Sequence, residues 1–245
     1  DITQRMKLEN MQMDFVANVS HELKTPLTTI KSYTETLLNG ALDDRETAEN
    51  FLEIIDSEAD RMNRLVRDLL QLSRMENNQE KWNMKEGDLI RLLKLALRKV
   101  ELTAQAKHQS LNCFFDEDRR VAVIMDKDRI EQVILNVLSN AINYTQEGGR
   151  IDIDLVVQGR EAQIIVEDNG IGIPEEELPR VFERFFRVDK ARSRQMGGTG
   201  LGLSISKQIV EEHGGRIEIS SHENRGTKVR IVLPLSPAVT RGTPN

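Results

Sequence analysis

A long stretch of heptad-like hydrophobic spacing, from about Ile2 to Met75, most constrains how this 245-residue chain can fold. Apolar residues in its second half recur at alternating steps of four and three, with one charge among them: Phe51, Ile55, Glu58, Met62, Leu65, Leu69 and Leu72. A similar stripe comes earlier (Leu8, Met11, Phe15, Val19 and Leu23), and a polar turn around Asn39–Asp44 separates the two. Such spacing is typical of packed helices. Residues 1–78 are therefore predicted to form an antiparallel helical hairpin.

The apolar faces of two long amphipathic helices are difficult for one chain to cover. Pairing two hairpins into a four-helix bundle covers these faces, so the pattern predicts a homodimer. The alternative is a hairpin that packs against the rest of its own chain, and the spacing alone leaves this alternative open.

The rest of the chain mixes helical and strand periods. Residues 79–88 are expected to be a linker, and residues 89–235 a second domain. Helices are predicted over Leu89–Lys107, Lys127–Tyr144 and Leu201–His213, and strands over Leu111–Phe115, Val121–Met125, Ile151–Val157, Ala162–Glu167, Arg216–Ser220 and Lys228–Leu233. This order fits a mixed sheet with helices on one face, an α/β sandwich, so the fold class is α+β in two domains. Residues 236–245 are expected to be a disordered tail.

Composition excludes some classes of function. Acidic residues outnumber basic ones by 40 to 34 and the net charge is −6, which argues against a nucleic-acid partner. The single cysteine, Cys113, is expected to be a buried thiol in a reducing compartment. No apolar run approaches the roughly 18 to 20 residues that span a bilayer. The chain begins at Asp1 within the helical pattern and without an initiator Met, as would a fragment of a longer protein.

A histidine in the first helical stretch is the first candidate for chemistry. His21 stands in the run Ser-His-Glu-Leu-Lys-Thr-Pro-Leu (20–27), whose polar neighbours predict an accessible side chain. A carboxylate such as Glu22 can hold one imidazole nitrogen protonated and leave the other nucleophilic. Pro26 removes a helical hydrogen bond to the carbonyl of Glu22 and is expected to bend the helix. Considered alone, such a histidine is more often an ordinary surface residue.

Three amide side chains share helical spacing in the second domain. Asn136, Asn140 and Asn143 are followed by Tyr144, and this spacing places the amides on one side of a helix. Amide oxygens can complete a magnesium shell whose other ligands are phosphates and water. By itself, the pattern is more often typical of a solvated or capping helix face.

Two glycine-containing segments follow in the second domain. Asp-Asn-Gly-Ile-Gly-Ile-Pro (168–174) comes directly after a predicted strand; its carboxylate can accept from an adenine amine, and its glycines let backbone approach a flat base. Gly-Gly-Thr-Gly-Leu-Gly-Leu (197–203) opens a helix, where free N–H groups and the helix dipole favour phosphate. It lacks the lysine of a Walker loop and the Rossmann spacing. The aromatic cluster between them, 182–189, is also typical of a local core that anchors a loop.

These segments together resemble those of a known family. The run 20–27 closely resembles the H box of sensor histidine kinases. The segments at 136–144, 168–174, 182–189 and 197–203 resemble, in order and spacing, the N, G1, F and G2 boxes of their ATP-binding domain, whose fold is shared with gyrase, Hsp90 and MutL. The resemblance extends from about Met11 to Leu235, and in detail it is closest to the WalK or VicK group of Gram-positive bacteria.

The resemblance implies a role for each matching residue. It makes His21 the autophosphorylation site, Glu22 its acid or base partner, and Thr25 the residue that positions water when a partner is dephosphorylated. It makes Asp168 the residue that reads adenine. It makes Asn136 and Asn140 the magnesium ligands, which also belong to the ATP-binding residues. The other ATP-binding residues that it implies are Asn143, Tyr144, Gly170, Gly172, Ile173, Arg187, Lys190, Gly198, Thr199, Gly200, Leu201 and Gly202.

The implied activity is transfer of the γ-phosphoryl group of ATP, with Mg²⁺, to His21 and then to an aspartate of a response-regulator receiver domain. The implied setting is the cytoplasmic part of a cell-membrane sensor, whose membrane contact lies in a missing N-terminal part. Two alternatives are open. An ATP-hydrolysing machine on the same fold would place Glu where Asn136 stands, because Asn cannot act as a base. A non-enzymatic dimeric scaffold would have decayed nucleotide segments.

One position departs from the family pattern and yields a prediction. Many members have Lys or Arg where Asn143 stands, and we expect Arg187, Lys190 or Arg192 to supply the missing positive charge. Asn143→Lys should therefore leave autophosphorylation intact, measured as label transferred from γ-labelled ATP. A variant that folds normally but takes up no label would refute this expectation.

Overall fold

The computed structural model describes residues 2–189 and 198–237. The chain divides into two compact units. The first comprises Asp1–Glu76 and Asp189–Leu201, and the second Asn77–Val188 and Gly202–Asn245. Lys190, Arg192 and most of the predicted tail lie outside the described residues.

The first unit is built on two long helices. Helix α1 spans Ile2–Leu38 and helix α2 spans Arg45–Glu76, with a 3-10 turn at Ala41–Asp43 between them. Gly40 begins this turn with a φ of 118°, a conformation that glycine adopts without strain. The predicted helical hairpin is confirmed.

The buried side of α2 matches the predicted stripe in part. Its buried residues are Ala48, Arg61, Leu65, Leu72 and Met75. Leu65 and Leu72 belong to the stripe and are its most buried members, whereas Met62 and Leu69 are half-exposed. Neighbouring residues in an α-helix point about 100° apart, so the buried Arg61 lies beside the stripe and not on it.

Within its described residues, the second unit combines seven strands with three α-helices. Its elements in chain order are β1 Lys85–Asp88, α3 Leu89–Ala106, β2 Ser110–Cys113, β3 Ala122–Met125, α4 Lys127–Tyr144, β4 Arg150–Gln158, β5 Glu161–Asp168, a 3-10 helix Glu175–Arg180, α5 Gly202–Glu212, β6 Arg216–His222 and β7 Gly226–Pro234. Five strands form one sheet in the order β2-β4-β5-β7-β6. Strand β2 pairs with β4 in parallel, and the other pairs are antiparallel. The predicted mixed sheet with packed helices is confirmed.

A small second ladder lies outside the main sheet. Strand β1 pairs antiparallel with β3, with Lys85 opposite Met125, so the stretch predicted as a linker contains a strand. The sequence Lys-Glu-Gly-Asp is poor in the β-branched and aromatic residues that favour strands, and only its pairing with β3 reveals it.

Side-chain caps fix the starts of two helices in this unit. Asp88 accepts from the N–H of Ile90 at the start of α3, and Asp126 accepts from the N–H groups of Asp128 and Arg129 at the start of α4. Such caps satisfy donors that a helix leaves unpaired. The apolar faces of these helices and of the sheet form the core, whose fully buried side chains include Leu92, Leu93, Ile130, Ile134, Leu138, Ile151, Ile153 and Ile164.

Cys113 is exposed at the end of β2, so the expectation of a buried thiol was wrong. Strand β2 is an edge strand with one neighbour in the sheet, which leaves its last residue open to solvent. In the part of the chain that the structure describes, no helix is both long and apolar enough to cross a membrane.

A buried histidine connects the end of α5 to the start of α4. His213 Nε2 accepts from the N–H of Asp126 at 2.9 Å, and Nδ1 lies 2.7 Å from the carbonyl of Ile209. This pairing requires the neutral ring with its proton on Nδ1. The ring of Trp82 packs edge-on against it, with 5.5 Å between ring centroids.

The burial of His213 makes stability depend on pH. Burial lowers its imidazole pKa below the ordinary 6.5, against the opposing effects of Ile209, Asp126 and Glu212. The unfolded chain therefore binds a proton at this histidine more readily than the folded chain does. The contribution of neutral His213 to the free energy of unfolding is complete above pH 6.5 and is lost as the pH falls below 6.5. We expect His213→Gln to flatten the fall in the urea midpoint between pH 7 and pH 5. His108→Gln, at an exposed histidine, should keep the wild-type slope; equal slopes in all three proteins would refute the assignment.

Candidate active site

His21 lies exposed on α1, one helical turn before a proline. Thr25 Oγ1 donates to the carbonyl of His21 at 3.2 Å, so the two side chains belong to the same stretch of helix surface. Pro26 is buried and lies inside the helix, where it offers no N–H to the carbonyl of Glu22. The histidine is therefore open to a reactant in solution, as a phosphoryl acceptor must be.

Glu22 points into the hairpin, not outward. Its carboxylate accepts from Arg61 Nη2 at 2.8 Å, and both side chains are nearly inaccessible, at 11% and 5% exposure. Arg61 Nη1 also lies 3.4 Å from Glu58. Sequence reasoning missed Arg61, which lies outside the predicted stripe; the available signal was Glu58, the charge within that stripe, whose carboxylate is near Arg61. The role of Glu22 as acid or base stays a prediction.

Asn136 is held from two sides within the second unit. Its Nδ2 donates to the hydroxyl of Ser206, a buried residue of α5, at 2.9 Å. A Cβ at Gly202, where α5 begins, would overlap Asn136 Oδ1, so a side chain there would require this amide to move. The amide orientation leaves Oδ1 as an acceptor. Sequence reasoning did not find Ser206, because its partner lies 70 residues away.

The amide side of α4 fits a magnesium ion. Asn140, Asn143 and Tyr144 are all half-exposed and follow Asn136 along the helix. Within residues 2–189 and 198–237, no three His, Cys, Asp or Glu side chains cluster in a way that could hold a metal ion. Magnesium commonly takes one or two protein oxygens and completes its shell with phosphates and water. The amide oxygens of Asn136 and Asn140 are suited to that limited share.

Asp168 is a buried carboxylate at the end of β5. Its Oδ1 accepts from the N–H of Gly170 at 2.8 Å and from the N–H of Thr227 at 3.3 Å. Burial raises the pKa of this carboxyl, although both N–H groups act in the opposite direction. Both bonds go to Oδ1, so Oδ2 is placed to accept from an added group such as the amine of a base.

The segment after Asp168 fits closely against two neighbours. A Cβ at Gly170 would overlap the carbonyl of Tyr144 at the end of α4, and one at Gly172 would overlap the carbonyl of His222. Gly172 also has a φ of 69°. Both glycines are therefore required by packing against the protein's own backbone; the approach of this segment to a base stays a prediction.

The turn between β6 and β7 supports the same segment. Ser221 Oγ accepts from the N–H of Ile173 at 2.8 Å, and the N–H of Asn224 donates to the carbonyl of Ile171 at 2.7 Å. A Cβ at Gly226 would overlap the carbonyl of Asp168. Sequence reasoning missed Ser221, Gly226 and Thr227; the available signal was a glycine two residues before the predicted strand Lys228–Leu233.

The remaining predicted residues are divided between the two units. Arg187 is buried in the second unit. Gly198, Thr199, Gly200 and Leu201 belong to the first unit. There, Thr199 Oγ1 donates to the carboxylate of Asp68 at 2.8 Å, and burial raises the pKa of Asp68. The second unit thus brings Asn136 to Gly202 and Tyr144 to Gly170, next to Asp168, while Lys190 lies outside the described residues.

Family models match both parts of the chain. Residues 125–237 match the histidine kinase-, DNA gyrase B- and HSP90-like ATPase family. Residues 11–78 match the His Kinase A (phospho-acceptor) domain. The second match contains His21 and the first contains every predicted nucleotide residue.

Two sensor kinases are similar to this chain over nearly its whole length. The sensor histidine kinase WalK of Bacillus subtilis (strain 168) is 42% identical over 236 residues, 96% of this chain and 38% of that protein. A sensor protein kinase WalK of Staphylococcus aureus is 42% identical over 239 residues, 96% of this chain and 56% of that protein. The chain thus spans about half or less of the length of these relatives.

Solved structures of histidine kinases are also similar to this chain. A mycobacterial sensor histidine kinase, MprB, is 31% identical over 63% of this chain and 99% of its own, with a TM-score of 0.54. The histidine kinase ThkA, solved in complex with response regulator protein TrrA, is 26% identical over 96% of this chain and 65% of its own, with a TM-score of 0.76. This chain belongs to the sensor histidine kinase family, and the resemblance seen in its motifs is confirmed.

The buried pair of Glu22 and Arg61 yields a stability prediction. Arg61→Met leaves a buried carboxylate without its main partner, which costs about 3 kcal/mol in comparable pairs. We expect faster hydrogen exchange of the α1 and α2 amides at fixed protein concentration, because such exchange reports this unit separately from the rest of the chain.

The matched control is Arg45→Met on the same helix. Arg45 pairs with Glu49 at the surface, where such pairs contribute little, so exchange should stay near that of the wild type. Adding Glu22→Leu to Arg61→Met should restore part of the loss, because the unpaired carboxylate is then removed. Equal exchange in the Arg61→Met and Arg45→Met variants would contradict this account.

Proposed function

We propose that this chain is the catalytic core of a two-component sensor kinase, which moves the γ-phosphoryl group of ATP to His21 and then to an aspartate of a response regulator. One observation supports this most strongly: the same chain holds an exposed histidine on a helix that contains a proline five residues further on and a buried carboxylate at Asp168 that accepts from a backbone N–H. The first suits a phosphoryl acceptor and the second suits a reader of adenine.

The proposed first step is an in-line displacement. A nitrogen of His21 attacks the γ-phosphorus, the bond from that phosphorus to the oxygen it shares with the β-phosphate breaks, and ADP leaves. Glu22 is proposed to take the imidazole proton. Its carboxylate is bonded to Arg61, so this role requires Glu22 to exchange Arg61 for the imidazole.

The proposed binding of ATP divides the predicted residues into a base side and a phosphate side. Asp168, Gly170, Gly172, Ile173 and Tyr144 are placed at the base. Asn136 and Asn140 would hold Mg²⁺, which neutralises phosphate charge when bound. The other residues proposed for the phosphate side are Asn143, Arg187, Lys190, Gly198, Thr199, Gly200, Leu201 and Gly202.

The proposed partners are a second copy of the chain and a receiver domain. Exposed apolar side chains on the hairpin support the dimer: Val16, Leu27, Leu38, Leu52, Val66 and Leu70. ThkA was solved with a response regulator protein, which supports the same kind of partner here. Thr25, one turn from His21, is proposed to assist dephosphorylation of that partner. We place the chain in the cytoplasmic part of a cell-membrane sensor.

The direct test is incubation of the full chain with γ-labelled ATP and Mg²⁺. Label should appear on the protein, be lost in acid and persist in base, because a phosphohistidine is acid-labile. His21→Gln should reduce it to background, whereas His108→Gln, at another exposed histidine, should keep it.

Other results point to the alternatives. Hydrolysis of ATP without labelled protein would favour the ATP-driven machine. Absence of both label and hydrolysis would favour a dimeric scaffold. Label that persists in His21→Gln would place the acceptor elsewhere.

A further inference from the structure

The C-terminal end of α4 is closely packed against the segment after Asp168, which is predicted to bind adenine. The carbonyl of Tyr144 accepts from the N–H of Ile171 at 3.2 Å, and a Cβ at Gly170 would overlap that same carbonyl. A shift of the end of α4 would therefore displace the segment that follows Asp168. The position of this helix end is a requirement of the nucleotide site.

The side chain of the residue just before β2, Gln109, fixes that helix end from the other side. Gln109 Nε2 donates to the carbonyls of Ile142 at 3.0 Å and Thr145 at 2.8 Å, and lies 3.3 Å from that of Gln146. Gln109 is 6% exposed. The last carbonyls of a helix have no hydrogen-bond donor within the helix. At the end of α4, the buried amide of Gln109 donates these hydrogen bonds.

The surroundings of Gln109 agree with this role. Because carbonyls converge on its amide, only the nitrogen can face them, and Oε1 has no hydrogen-bond partner among the described residues. Lys107 Nζ also donates to the carbonyl of Ile142, at 3.1 Å, and a positive charge is favourable at a helix C-terminus. The carbonyl of Lys107 in turn accepts from the N–H of Gly148 at 3.1 Å.

We infer that Gln109 is a positioning residue of the nucleotide site, acting through the end of α4 on Tyr144 and on the segment after Asp168. The inference rests on the proposed function. Without the amide, buried carbonyls lose their donors and the last turn of α4 loosens against Gly170. Asn136 lies two turns earlier and is held by Ser206, so the phosphate side should keep its geometry. The effect should fall on the binding of ATP and not on the chemical step.

The test is Gln109→Met in the full chain, because methionine keeps the length of the side chain and removes its donors. We expect the KM for ATP in autophosphorylation to rise about fivefold to tenfold, the range that one or two lost hydrogen bonds produce, while kcat stays within about twofold. The Kd for ADP, from direct titration, should rise by a similar factor. Gln105→Met is the matched control, since Gln105 is exposed on α3, and it should leave KM and Kd unchanged.

The outcomes separate this inference from a merely structural role. A structural role would lower the thermal midpoint of Gln109→Met and leave KM unchanged well below that midpoint, and this result would overturn the inference. A fall in kcat at constant KM would also overturn it. If Gln109→Met does not fold, Gln109→Asn, which keeps the donor on a shorter arm, decides by the same measurements. Failure of the wild type to bind ADP or ATP would instead overturn the proposed function.

Discussion

The close approach of backbone around Asp168 is the constraint on which the rest of the second unit depends. The end of α4, the turn between β6 and β7, and the segment after β5 meet there without room for a Cβ at Gly170, Gly172 or Gly226. This contact requires the register of β7 against β5 and the cap of α4 by Gln109. The sheet therefore matters for function chiefly because it brings separate backbone segments to one carboxylate.

The hairpin depends on a different kind of interaction. Its inner face includes the ion pair of Glu22 and Arg61, which joins α1 to α2 next to His21, the proposed phosphoacceptor. A buried ion pair adds little to stability relative to apolar residues of similar size. Removal of only one partner is strongly destabilising, because it leaves a buried charge without compensation. The pair thus fixes the register of one helix against the other at His21 more than it strengthens the hairpin.

The sequence predicted those features that depend on local pattern. Helical and strand periods located the hairpin, the main helices and the strands of the large sheet, and motif resemblance pointed to Asp168 and the amides of α4. Features that depend on pairing between distant segments were missed. Strand β1 has no strand-like composition, and Ser206 and Gln109 acquire their meaning only from partners 70 and 36 residues away. On α2 the predicted stripe contained the buried Leu65 and Leu72 but not the buried Arg61, because a charged side chain is rarely buried unless it is paired.

Two hairpin turns of the same sheet should differ in their tolerance of added residues. Surface turns usually accept insertions, and Gly159, between β4 and β5, meets that expectation because nothing lies within 4 Å of a Cβ built there. The turn at 222–226 is also at the surface, but its backbone touches the segment after Asp168 at Ile171 and Gly172. Its length is therefore set by the proposed nucleotide site. Variation in loop length among natural or engineered versions of this chain should concentrate at the first turn and avoid the second.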